Sequence, residues 1–155
     1  VQTCALPIFF PEKLEVAKKL GANSTVLLSA DDTKEIVKEK IGFSADVVFE
    51  TSGAPGGVEK TVALTRMGGV AMLMGLNKTP QALNFADPVL REITLQTTVA
   101  HVCQKNLPIA LNILRNSEIA KLLTGNIYGL DSCPQAFADL ISGKSSGKIL
   151  VKING

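Results

Sequence analysis

Residues 45–57 read ADVVFETSGAPGG. Val47, Val48 and Phe49 follow one another without alternation. A strand with one wet face alternates apolar and polar residues, whereas a parallel strand covered on both faces does not. The stretch therefore predicts a buried parallel strand over 46–50 that runs into a glycine-rich turn. Beyond the turn, Val58, Val62 and Ala63 recur at helical spacing, which predicts a helix over 58–65. Arg66-Met67-Gly68-Gly69 reads as a turn, and VAMLM (70–74) as a second near-continuous apolar strand ending at Gly75. A strand, a helix and a second strand joined by short links form the α/β unit, with a right-handed crossover.

The same alternation extends upstream. Residues 11–20 predict a helix, with Pro11 in its first turn, Glu12 at its positive end and Lys18 and Lys19 near its negative end. Leu14, Ala17 and Leu20 form its stripe, and Gly21 closes it. STVLLS (24–29) reads as a strand or its remnant. Asp31 or Asp32 caps a helix over 33–40 whose buried side is Ile36, Val37 and Ile41. Downstream, 77–87 reads as a loop with a short helical turn, containing Pro80 and followed by Pro88. Residues 92–100 read as a strand, and 107–114 as a helix with Leu107, Ala110, Leu111 and Leu114 on one side. A helix over 131–141 carries Ala136, Phe137, Leu140 and Ile141. A turn at 143–147 and a closing strand at 148–153 end the pattern.

The 155 residues are enough for one domain with a sizeable core. Hydrophobic residues make up 46% and charged residues 19%, a globular rather than disordered composition. A net charge of +2 is too small to imply nucleic acid or an anionic membrane as partner. No apolar run reaches the length of a membrane span, and the N-terminal apolar run lacks the basic region of a signal peptide. Cys4, Cys103 and Cys133 are odd in number and widely spaced, which argues against a disulfide framework or a closed cysteine zinc site. A reducing, cytoplasmic setting fits.

In open parallel sheets, ligands bind beyond the C-terminal strand ends. Two loops stand there: Thr51-Ser52-Gly53 and Gly75-Leu76. Their glycines let a flat ligand lie against backbone, although strand-end turns favour Gly and Ser in any case. The phosphate-binding glycine loop expected after a first strand is absent. GAPGG (53–57) has the wrong spacing for it, and GKSSGK (143–148) precedes a strand rather than a helix. His101 and Cys103 form a conceivable metal or nucleophilic pair, but no third ligand is indicated. Cys133, before Pro134, reads as a packed thiol. Glu50, Glu59, Asp87 and Glu92 show no spacing that marks an acid/base pair; Glu50 stands out only as a carboxylate at a strand end.

Four segments, in this order, carry a resemblance: PEKLEVAKKLGA, ADVVFETSG, ALTRMGGVAMLMG and AFADLISGKSSGKILV. Together they resemble the C-terminal coenzyme domain of the medium-chain, zinc-type alcohol dehydrogenases, nearest the threonine, sorbitol or iditol and butanediol dehydrogenase groups. The resemblance covers 11–153. It implies a truncated Rossmann-like, doubly wound parallel sheet lacking its first β-α-β unit. It also implies an NAD(P)-dependent parent enzyme that oxidises a secondary alcohol or polyol, with a catalytic zinc acting on the alcohol oxygen and hydride passing to nicotinamide. Carried over by position, Thr51, Ser52, Gly53, Gly75, Leu76, Thr98 and Val99 line the nicotinamide half of the coenzyme, chiefly through backbone hydrogen bonds and van der Waals contact. The zinc ligands belong to a preceding GroES-like domain, so no catalytic and no metal residue is assigned to this chain. A homo-oligomer paired along strand 93–99 is implied for the parent, with a small alcohol as its partner and neither nucleic acid nor membrane.

Residues 1–8, VQTCALPI, resemble the translation of a widely used sequencing-library adapter. They are expected to be artefactual, leaving 9–155 as a partial nucleotide-binding domain with the closing helix and strand. The competing reading is a genuine strand that slides into an empty sheet position, although Pro7 suits a central strand badly. The chain alone is expected to be inactive. The alternative is a non-catalytic α/β binding or self-associating module with an exposed sheet edge.

Overall fold

The computed structural model describes residues 4–5, 11–29, 31–99, 102–142 and 147–153. The chain divides into two units, 1–100 and 101–155. In the first, β1 (Cys4–Ala5) precedes α1 (Pro11–Lys19), β2 (Ser24–Thr25) and α2 (Lys34–Ile41). Then come β3 (Ala45–Glu50), α3 (Gly57–Leu64), β4 (Thr65–Leu73), α4 (Ala86–Leu90) and β5 (Thr94–Thr97). β1 and β2 form a two-stranded parallel sheet, and β3-β4-β5 a three-stranded one, parallel throughout. Cys4 and Ala5 pair with Ser24 and Thr25. This places backbone where the competing reading of 1–8 expects a strand and says nothing of those residues' origin; Pro7 lies outside the described residues.

The expected strand–helix–strand unit is β3, α3 and β4. Its register carries an irregularity the sequence reading placed elsewhere. Ala45 faces Thr65, yet Val47 faces Val70, so the RMGG stretch is an excursion within β4 and not a turn before it. Gly68 takes φ 67°, a left-handed conformation open to glycine at little cost. A Cβ on Gly69 would lie 2.8 Å from the Asp46 carbonyl oxygen. Arg66 Nε reaches back to Asp46 Oδ1 at 2.6 Å across the excursion.

The core lies on one face of this sheet. Val37 is fully buried, Leu28 and Leu64 nearly so, and Val26, Ile41 and Val48 pack around them. Burying each such side chain stabilises by roughly 1.5–3 kcal/mol. Thr33 caps α2 in place of Asp31 or Asp32: its side chain accepts from Ile36 N, and Gly42 ends the helix at φ 75°. Asp32 instead accepts from Ser29 N at 2.8 Å and Lys40 Nζ at 2.6 Å. Arg91, just past α4, donates from Nη2 to the carbonyls of Val62 and Thr65 at the end of α3.

The expectation that β3 is buried on both faces fails. Val48 and Glu50 point to the core side, whereas Val47 is 44% and Phe49 60% exposed. α2 and α3 pack on only one side of the strand, so alternation returns despite the apolar run.

The second unit holds α5 (Cys103–Arg115), α6 (Ile119–Leu123), β6 (Thr124–Gly129), a 3-10 turn at Leu130–Ser132, α7 (Cys133–Ile141) and β7 (Lys148–Lys152). β6 and β7 pair in parallel. The α5 stripe of Leu107, Leu111 and Leu114 is exposed, and so are Phe137, Leu140 and Ile141 of α7; Ala136 is the buried residue of that helix. Among the described residues, no helix is long and apolar enough to cross a membrane.

Candidate functional site at the ends of three parallel strands

Glu50, Leu73 and Thr97 stand level across β3, β4 and β5, because Glu50 pairs with Leu73 and Leu73 with Thr97. The next residues therefore leave the sheet side by side. Thr51-Ser52-Gly53 follows β3, Met74-Gly75-Leu76 follows β4, and Thr98-Val99 follows β5. Thr98 N donates to Leu73 O at 3.3 Å, which carries the ladder one step past β5. All seven residues expected at a ligand thus gather at one edge. Thr51, Ser52 and Thr98 are exposed, Leu76 is 82% and Val99 72% exposed, and the two glycines are half-buried.

Glu50 organises this edge. It is only 6% exposed. Its Oε1 accepts from Ser52 N at 2.9 Å, Ser52 Oγ at 2.5 Å and Gly53 N at 3.0 Å; its Oε2 lies 3.2 Å from Gly53 N. A buried carboxylate is tolerable only with such partners. The Glu50 backbone carbonyl in turn accepts from Met74 N at 2.8 Å and Gly75 N at 2.9 Å. Gly53 turns at φ 64° and lies flat against the loop after β4: a Cβ on it would meet Leu76 O at 2.5 Å. A Cβ on Gly75 would overlap both Gly53 N and Glu50 Oε2. Gln81 closes the far side, accepting from Gly56 N at 3.1 Å and donating to Ala54 O at 3.2 Å. The sequence reading noticed Glu50 without assigning it a task and passed over Gln81. A strand-end glutamate followed by Thr-Ser-Gly was the available signal, since small residues let amides turn back onto a carboxylate.

The remaining candidates stay apart. GAPGG makes no free phosphate cradle, because Gly56 N is held by Gln81 and Gly57 N by Ala54 O at 3.0 Å. Gly143 to Ser146 of GKSSGK lie outside the described residues, as does His101, and with it the His101–Cys103 pairing. Cys103 is exposed and Cys133 half-buried; both thiols are free. Glu59 is paired with Lys34 at 2.8 Å, which pushes the lysine up through that hydrogen bond, and Asp87 lies 3.2 Å from Arg91. No group of three or more His, Cys, Asp or Glu side chains converges among the described residues, so zinc finds no ligand set there. Glycine backbone stands on two of the three loops, where Gly53 and Gly75 pack against each other's loop, beside exposed Thr51, Leu76, Thr98 and Val99.

The sequence profile of the zinc-binding dehydrogenases matches residues 10–116, more than half of the chain. The chain belongs to the zinc-binding dehydrogenase family. Among curated relatives, it is 27% identical over 146 residues to (R,R)-butanediol dehydrogenase of Bacillus subtilis (strain 168), covering 93% of this chain and 42% of that enzyme. It is 25% identical to sorbitol dehydrogenase of Homo sapiens, over 90% of this chain and 40% of that protein. Among solved structures, L-idonate 5-dehydrogenase from Escherichia coli superposes with a TM-score of 0.81 at 21% identity, over 99% of this chain and 43% of that one. The chain thus spans about two fifths of the length of these relatives. The structural likeness establishes a Rossmann-like fold for this zinc-binding dehydrogenase chain. In the order 3-2-1-4-5-6 of such sheets, β2 to β5 correspond to the third to sixth strands, and β1 lies beside β2 where the second belongs. Among the described residues, no strand is hydrogen-bonded to both β1 and β3.

Proposed function

We propose that the chain is part of the coenzyme-binding domain of an NAD(P)-dependent, zinc-type oxidoreductase whose whole protein oxidises a secondary alcohol or polyol. The observation that carries this reading is the level emergence of Thr51-Ser52-Gly53, Gly75-Leu76 and Thr98-Val99 from β3, β4 and β5. When bound, a nicotinamide supplies the hydride acceptor. Thr51, Leu76, Thr98 and Val99 shape its surroundings, and Gly53 and Gly75 let backbone come close. Zinc is outside this assignment, because the described residues give it no ligands. We further read 9–155 as the partial domain and 1–8 as foreign to it; the family match beginning at residue 10 supports that division.

The purified chain is expected to show no alcohol-dependent reduction of NAD or NADP, with or without zinc; sustained turnover would overturn its inactivity. NADH titrated into labelled chain at millimolar concentration should shift the amides of 51–53, 75–76 and 98–99. Binding is expected to be weak, since the pyrophosphate site of such folds lies at a glycine loop that this sequence does not contain. Absence of shifts at all three strand ends would defeat the coenzyme reading.

A second reading, a self-associating α/β module, is favoured by the apolar face of β3, where Val47 and Phe49 are exposed, and by the edge of that strand, which no described strand pairs. Light scattering from dilute protein separates the two. A monodisperse monomer removes the self-association reading.

A further inference from the structure

We propose that Glu50 is a positioning residue whose buried carboxylate locks the loops after β3 and β4 into one rigid edge and so fixes where Thr51 and Leu76 meet a ligand. The inference rests on the coenzyme reading given above, and it adds a residue that never reaches the ligand face itself. The sequence had suggested that the backbone of these loops works by bonding a ligand. The hydrogen bonds assign much of that backbone another task. The amides of Ser52 and Gly53 are taken by the Glu50 side chain, those of Met74 and Gly75 by the Glu50 carbonyl, and that of Gly56 by Gln81. With the Ala54 amide, which donates to Ser52 Oγ at 3.1 Å, six N–H groups of the two loops are engaged internally.

Glu50 thus uses both ends of its residue on the two loops at once. Its side chain curls the first loop inward, with Gly53 in a left-handed conformation that the curl requires. Its carbonyl clamps the second. Gly53 and Gly75 then touch backbone to backbone, a contact possible only because neither carries a side chain. Only an acceptor serves here. An amide in place of the carboxylate would turn an NH2 group toward Gly53 N–H or leave Ser52 short of an acceptor. Such a lock matters because a ligand edge misplaced by a fraction of an ångström loses its contacts, and residues that fix it act without touching the ligand.

The test uses the 155-residue chain, Glu50→Gln and Ser52→Ala. Amide hydrogen exchange reads the lock, and NADH-induced shifts read positioning. In E50Q, the Ser52 and Gly53 amides should exchange about 10- to 100-fold faster, matching loss of a hydrogen bond to a charged group. Protection at Ala71 in the centre of β4 should persist, which reports that the sheet is intact. NADH shifts at Thr51 and Leu76 should weaken or vanish, while those at Thr98 and Val99 remain. Should E50Q fail to fold, S52A removes the hydroxyl that donates to Glu50 Oε1 and accepts from Ala54 N, and should speed the same two amides by about two- to tenfold. Unchanged exchange in both variants would overturn the lock. Faster exchange with NADH shifts as in the parent would overturn the positioning role. If the parent chain itself shows no NADH shifts, the coenzyme reading fails and the positioning role with it, whereas the exchange data still decide the lock.

Discussion

Replacing Gly75 by alanine should be the most damaging single-methyl change at the strand ends. The new Cβ would fall on Gly53 N and Glu50 Oε2, one a backbone atom and the other an oxygen of a buried carboxylate held through Oε1 by Ser52 and Gly53. Neither is the free end of a flexible chain, so relief requires the two loops to part. Overpacking of this kind costs about 1–3 kcal/mol. Separating the loops also weakens the backbone bonds from Met74 N and Gly75 N to the Glu50 carbonyl, each worth about 0.5–1.5 kcal/mol. A combined loss of about 2–6 kcal/mol corresponds to a rise of roughly 30- to 20,000-fold in exchange for amides that open with the sheet. The assay is native-state hydrogen exchange at the amides of Val48 and Ala71. Gly129→Ala serves as control, since nothing lies within 4 Å of its Cβ position and its φ of −73° suits any residue. That variant should stay within about 0.5 kcal/mol of the parent. Exchange in G75A within threefold of the parent would refute the back-to-back glycine contact.

Val37→Ala removes two methyl groups from a fully buried site between Leu28 and Leu64, and should cost about 2–3 kcal/mol from lost transfer energy plus a residual cavity. The urea midpoint of the first unit should fall with its slope unchanged. Asp32 carries the clearest pH dependence. The hydrogen bond from Lys40, and after it that from Ser29 N, holds its carboxyl below the ordinary value of 3.8. A depressed carboxyl stabilises the fold above its unfolded value and loses that contribution as pH falls through its folded value. The stability gap between the parent and Asp32→Asn should therefore be full at neutral pH and close below about pH 4. A gap that stays constant to about pH 2.5 would remove the pair from the account.

Much of this architecture was legible because parallel α/β units write their period plainly. Helices at Pro11–Lys19, Lys34–Ile41 and Gly57–Leu64 announce themselves through spaced apolar residues and terminal Gly or Pro. β6 was missed, since TGNIYG offers two glycines and an asparagine in place of an apolar run. α6 is only five residues long, too short for periodicity to emerge. The run at 47–49 misled for a different reason: composition records that a face is apolar, while burial depends on whether another element covers it. At the candidate site, the loops were readable from their place after apolar strands. The role of Glu50 was not, because it depends on a carboxylate folding back over three residues and on two glycines meeting from separate loops.

The division of the described strands among three separate sheets has a consequence for how the molecule comes apart. Two-stranded pairs such as β1-β2 and β6-β7 are marginal on their own, and no ladder among the described residues ties either to β3-β4-β5. Cooperativity in a parallel sheet comes from strands that cannot leave without exposing their neighbours. Among the described residues, the stretch after β2 depends on β3 through side chains alone, Val26 and Leu28 sharing a core with Val48, and β6-β7 shares no ladder with either sheet. Heating should release the molecule in stages, with a calorimetric enthalpy larger than the van't Hoff value of any one transition.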